Sequence, residues 1–317
     1  MVRAHSQSGY KLRRDRKHTI KRAAFAGIIV LLAALVPLVY SGFTANRSPD
    51  RKDLLQLWDS SDFEALYLVS AEQLVQKPLD YFILTLHGFS SYQLAMAQIN
   101  SFNMLKFIDD SIWSLRKAML FNEGRYDGRI FYVLGKAYYY KGTGYGDLAV
   151  KYLEKARLIG FYSRDISEYL GLAYASIQDY RSSVEAFSRS LTSSADPDAS
   201  PPSDTLLLAI AGSYIALGED DSAQPYLVRI LDTSRDSNVI FSARLNLGEI
   251  LARKGDLIGA ESLYVKVIEE GGENSEAHFL LGELYNARGE PVRARAEWRR
   301  AIQIDPSHRL ARSRLNL

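Results

Sequence analysis

Apolar residues are distributed along this chain by two different rules. From Ala23 to Phe43 they run almost without interruption, and no charge occurs between Ala23 and Ala45. Beyond about residue 54 they recur at spacings of three and four, with polar positions between, which predicts amphipathic α-helices. Leu54, Leu57 and Trp58, then Phe63, Leu66, Tyr67 and Val69, suggest one helical pair; Phe82 to Met96 and Met104 to Leu120 suggest another. From residue 129 to 306 further pairs follow at near-constant length, separated by Gly-containing turns. The expected fold is all-α throughout.

The first apolar stretch has the length of a membrane span. At 1.5 Å per residue it would extend roughly 31 Å, close to the thickness of a bilayer's hydrocarbon core. Residues 1–22 carry eight basic side chains against Asp15, a net +7. Positive flanks remain on the cytoplasmic side, so the pattern predicts a basic cytoplasmic head (1–22), a single transmembrane signal anchor (23–43) and an extracytoplasmic remainder. A cleavable secretory leader shares the basic start. Its apolar core is shorter, and the bulky Tyr40 and Phe43 disturb the candidate cleavage sites here, which favours an anchor that is retained. In a bacterial cell this places the protein in the cytoplasmic (inner) membrane with its helices in the periplasm. Anionic lipid headgroups suit the head better than nucleic acid, since Tyr10 is its lone aromatic residue.

The later pairs share a register. Leu134-Gly135, Leu170-Gly171, Ile210-Ala211, Leu247-Gly248 and Leu281-Gly282 are spaced by 36, 40, 37 and 34 residues. The last is followed by Tyr285, Gly289, Ala294, Trp298, Ala301 and Pro306. This series resembles the tetratricopeptide repeat at nearly every signature position. The resemblance covers 129–306 as five repeats. It implies a superhelical α-solenoid in which each helical hairpin buries its apolar face against its neighbours. Residues 307–317 read as a capping helix, and 44–128 either as divergent repeats or as a separate helical adaptor with the same spacing.

Composition and charge change the picture in two ways. With 47% hydrophobic and 24% charged residues the chain is of ordinary globular make-up. The formal net charge of +2 conceals basic ends, +7 at the start and +5 over 288–317, around a body of −10. The absence of cysteine removes thiolate chemistry and disulfides. The five histidines are scattered, with no His-Glu-x-x-His spacing and no nucleophile elbow. Thr143-Gly144-Tyr145-Gly146 lacks both the strand and the Gly-Lys-Ser/Thr ending of a phosphate loop and reads as a turn. No catalytic residue, metal site or cofactor is expected.

Function is therefore expected from surfaces. In the family, fixed positions of each first helix line a concave groove that binds peptides or partner helices. By that resemblance the candidate groove residues are Arg129, Tyr132, Lys136, Tyr139 and Tyr140 in the first repeat. Leu245, Glu249 and Arg253 follow from the fourth, and Phe279, Glu283 and Asn286 from the fifth. The lysine and asparagine set with which some relatives clamp a terminal carboxylate does not occur. The resulting expectation is a membrane-anchored scaffold for other proteins in an envelope assembly such as a secretion or flagellar-motor complex. A translocon-associated chaperone and a non-catalytic regulatory subunit of an envelope-biogenesis enzyme are the alternatives. Self-association between the Arg-rich end and the acidic body of a second copy is also open.

Overall fold

In the computed structural model the described residues are 49–121, 127–193, 201–271 and 273–317. They form antiparallel helical hairpins and contain no strand. The hairpins are α1 (Arg51–Asp59) with α2 (Phe63–Gln76), α3 (Tyr81–Met96) with α4 (Ser101–Leu120), and α5 (Gly128–Lys141) with α6 (Gly146–Leu158). They continue as α7 (Ile166–Ser176) with α8 (Tyr180–Ser193), and α9 (Asp204–Ala216) with α10 (Asp220–Thr233). The last are α11 (Ser237–Arg253) with α12 (Leu257–Gly271), and α13 (Ser275–Ala287) with α14 (Pro291–Ile304), closed by the short α15 (Arg309–Arg314).

Each helix packs on the next, and each first helix also touches the first helix of the following hairpin, from α1 through to α13. That double contact is the stacking rule of a solenoid. It extends without a break into 51–120, where the sequence shows no Leu-Gly pair. The reason is visible at Gly88 in α3. A Cβ there would lie 2.5 Å from Leu115 Cγ of α4, and at Gly282 in α13 it would lie 2.5 Å from Trp298 of α14. Both glycines let the two helices of a hairpin close to backbone contact, but Gly88 follows a histidine instead of a leucine.

Helix starts follow from local chemistry. Asp50, Asp62, Asp80, Asn100, Asp127, Ser203, Asp236 and Asn274 each precede a helix and accept a hydrogen bond from its first backbone N–H groups. Turns inside hairpins use a left-handed residue, Gly255 at φ 87° between α11 and α12, and Gln178 at φ 63° in the equivalent place between α7 and α8. The turn expected at Thr143-Gly144-Tyr145-Gly146 is a single 3-10 turn, Thr143–Tyr145, leading into α6. The core is a ribbon between the layers; Phe131, Leu134, Leu153, Leu170 and Phe187 are fully buried in its central part.

Among the described residues no helix is long and apolar enough to cross a membrane. The basic head 1–22 and the apolar stretch 23–43 lie outside the described residues.

Candidate protein-binding groove

The first helices α1, α3 and α5, with the loop between α6 and α7, enclose a pocket of 410 Å³. Its walls are Leu55 and Trp58 of α1, Tyr81, Phe82, Phe89 and Tyr92 of α3, Arg129, Tyr132 and Val133 of α5, and Phe161 from the loop. Helix capping sets its mouth. Asp80 accepts from Phe82 and Ile83 N–H at 2.9 and 3.1 Å, so α3 begins with its aromatic pair already aimed. Asp127 caps α5 through Arg129 N–H and also holds the Arg129 guanidinium, leaving that side chain at the exposed rim. Ring contacts stiffen the wall, with Trp58 against Phe63 and Phe89 at 5.4 and 5.9 Å, and Tyr132 against Phe161 at 5.3 Å.

The expected residues Tyr132, Lys136, Tyr139 and Tyr140 do come together, but largely as an internal network. Lys136 Nζ donates to Asp165 at 2.8 Å and to the Tyr132 hydroxyl at 3.0 Å. It also lies 4.1 Å from the Tyr169 ring centre and 5.0 Å from that of Tyr132. Tyr132 donates to Asp165 at 2.6 Å, Ser163 adds a further donor, and Tyr140 bonds Tyr169 at 2.7 Å. Tyr139 meets Tyr140 and Tyr169 edge-on. The Lys136 side chain is 12% exposed, and its ammonium is thus consumed in joining α5 to α7. Arg129 alone of the five stands free of the network, at the pocket rim.

Asp165 occupies the N-cap of α7 yet makes no capping bond, because its carboxylate is turned toward Lys136. Burial pushes its pKa up, but the bonds from Lys136, Ser163 and Tyr132 outweigh that and hold it below the usual carboxylate range. Burial, together with the Asp165 bond, pushes the Tyr132 phenol up; burial and the Tyr140 bond do the same to Tyr169. The same contacts thus favour the ionised Asp165 carboxylate and the neutral Tyr132 and Tyr169 phenols.

In the later hairpins the candidates separate. Leu245 is half-buried in the core of the last units, and Phe279 is buried, 5.0 Å from the His308 ring beside the cap. Glu283 is bound by Arg314 of α15 at 2.6 and 2.9 Å. Arg253 pairs bidentately with Asp220 of α10, and burial pushes the neighbouring Glu249 up despite that guanidinium. Asn286 is exposed. His278 is buried and hydrogen-bonded to Glu297 at 2.7 Å, a structural role. Among the described residues no three His, Asp or Glu side chains converge as a metal site would require. Trp58, Tyr81, Phe82, Tyr92 and Phe161 were not legible as groove residues. Their density of rings was the available signal, but the repeat register did not reach the first four, and Phe161 lies in a loop outside its helical positions.

Residues 245–309 match the family model of the tetratricopeptide repeat. The described chain also superposes on the C-terminal part of a TPR repeat-containing protein from Cytophaga hutchinsonii, with a TM-score of 0.54 and 16% identity, covering 84% of this chain and all of that one. Residues 245–309 thus carry the tetratricopeptide repeat, and the described hairpins share the fold of a TPR-type solenoid. A second likeness in fold is to the APC/C hetero-tetramer Cut9–Hcn1, at a TM-score of 0.52 and 13% identity, covering 83% of this chain and 47% of that one. In sequence, the Arabidopsis thaliana protein CTR9 homolog is 29% identical over 98 residues, 31% of this chain and 9% of that protein's length.

Proposed function

We propose that this TPR-type protein is a single-pass membrane scaffold that recruits another protein through the concave pocket of its first three hairpins. The anchor is the apolar stretch 23–43, the head is cytoplasmic, and the repeats face the periplasm or an equivalent compartment. The setting is an envelope assembly of the secretion or flagellar-motor kind. The carrying observation is the 410 Å³ pocket itself, walled by rings from three successive hairpins and open at the groove. Such preformed aromatic pockets favour one or two apolar anchor side chains of a partner, since rigid rings lose little entropy on binding. Arg129 at the rim suits an acidic residue beside that anchor. Confinement to a membrane raises the effective concentration of such a scaffold without any new contact.

The test is a photo-cross-linking amino acid placed at Val133 in the pocket and, separately, at the exposed Trp113 of α4, in the full-length protein in its own membrane. A single partner at near-integer ratio from position 133 is expected, lost when Phe82→Asp is added while far-UV helicity is kept. Cross-linking that survives Phe82→Asp removes the pocket from the reading. A C-terminal reporter active in the cytoplasm would reverse the orientation.

A further inference from the structure

We infer that one edge of the solenoid, over its first three hairpins only, rests on the surface of a lipid bilayer. All first helices begin, and all second helices end, on the same edge. Gln73 near the end of α2 donates to the Pro49 carbonyl at 2.6 Å, Arg51 meets Asp80 at 3.8 Å, and Tyr132 bonds Asp165 across the same edge. On this edge the ends of α2, α4 and α6 expose large apolar side chains: Val75 at 83%, Leu120 at 78%, Leu158 at 76% and Tyr162 at 77%. The same places in the last three hairpins read Thr233-Ser234-Arg235, Glu269-Glu270-Gly271 and Asp305-Pro306-Ser307, with Leu310 exposed just beyond the last; the exposed Ile258 and Val292 lie on the opposite edge, where α12 and α14 begin.

Charge follows the same division. Beside the apolar row, Arg51, Lys52, Lys77 and Arg164 are exposed against the exposed acids Asp53 and Glu72, while Asp80 and Asp165 are half-buried and partnered. A row of Leu, Val and Tyr with exposed cations is the chemistry of the headgroup region, where apolar groups enter the acyl boundary and cations meet anionic lipid. The acidic Glu269-Glu270 end would be repelled there. The chain enters the solenoid on this edge, at Pro49. Six residues separate Phe43 from α1's cap at Asp50, a reach of roughly 20 Å even when extended. This inference rests on the anchored reading of 23–43, which brings this edge and no other to the bilayer.

The chain has no cysteine, so single labels are available without background. The full-length protein is reconstituted in phosphatidylethanolamine–phosphatidylglycerol liposomes with an environment-sensitive fluorophore at Leu120→Cys, Tyr162→Cys, Thr233→Cys, Glu270→Cys or, within the apolar stretch, Leu32→Cys. Lipid-borne nitroxide should quench labels 120 and 162 severalfold more than 233 and 270. If 120 and 162 are no more quenched than 233 and 270 while 32 is quenched, the anchor stands and the edge inference falls. If none is quenched, both fall. Quenching at 120 and 162 without quenching at 32 upholds the edge and removes the anchor. A blue shift at 120 and 162 with no lipid quenching means a protein covers the edge, which overturns the inference.

Discussion

Lys136–Asp165 in the first half of the solenoid and Arg253–Asp220 in the second do the same job, tying one hairpin to the next, in opposite ways. The first pair is shielded. Lys136 is 12% exposed, ringed by tyrosines, and shares Asp165 with two hydroxyls. The second is open, with Arg253 44% exposed and Glu249 nearby at 3.7 Å. Lys254–Asp221 and Arg314–Glu283 continue the open style toward the cap. The hairpin frame fixes where helices lie and leaves the chemistry of each joint free. In the first half that freedom is used for a stiff aromatic wall beside a pocket; in the second it yields a hydrophilic, ion-paired stack suited to solvent.

The comparison breaks most clearly at Lys136. Lys136→Met removes the cation and strands Asp165, and should destabilise the first half by about 2 kcal/mol. That is below the roughly 3–5 kcal/mol of a fully buried pair, because Asp165 keeps Ser163, Tyr132 and some solvent. Hydrogen exchange should show α5 and α7 opening while α11 to α14 stay protected, since repeats couple mainly to their neighbours. Uniform loss along the chain would sink the contrast.

A second, smaller effect is set by His87, buried in α3, stacked on Tyr67 at 4.7 Å and 2.9 Å from the Ser70 hydroxyl. Burial holds its imidazole below the ordinary histidine range, more strongly than the Asp110 carboxylate raises it. The unfolded chain then takes up the proton first. Stability of the first hairpins should fall as pH drops through about 6.5 and flatten in His87→Gln, read by denaturant midpoints at successive pH values. A slope unchanged in the variant would assign it elsewhere.

The smallest change belongs to the open half. Arg253→Gln should cost less than about 1 kcal/mol, and 0.5 M salt should remove most of the difference from the parent protein, because exposed pairs are weak and screened. A salt-insensitive loss comparable to that of Lys136→Met would erase the distinction between the two joints.

The helical periodicity and the Leu-Gly register made the solenoid readable from residue 129 onward, because burial of one face at 3.6-residue spacing and close hairpin approach both leave marks in composition. Before that, Gly88 performs the task of Gly135 without the preceding leucine, so the register was silent although the periodicity was not. The groove was half legible. Position within a helix indicated which side chains face inward, but whether they meet a ligand or the adjoining hairpin depends on loops. Asp165, arriving from the α6–α7 loop, turned Lys136 from a peptide contact into a joint. Phe279, Glu283 and Arg253 were likewise taken by neighbours 29 to 33 residues away.

By itself the sequence determined that the chain is helical, that its hairpins repeat, and that its apolar start differs from everything after it. These are properties of local spacing and composition, which each segment carries alone. Tertiary structure decided which polar side chains are spent in holding hairpins together and which remain for a partner. It also decided that rings from three separate hairpins meet in one pocket and that the exposed apolar ends of α2, α4 and α6 fall on the same edge. Those outcomes depend on stacking, which brings together residues tens of positions apart that no local pattern relates.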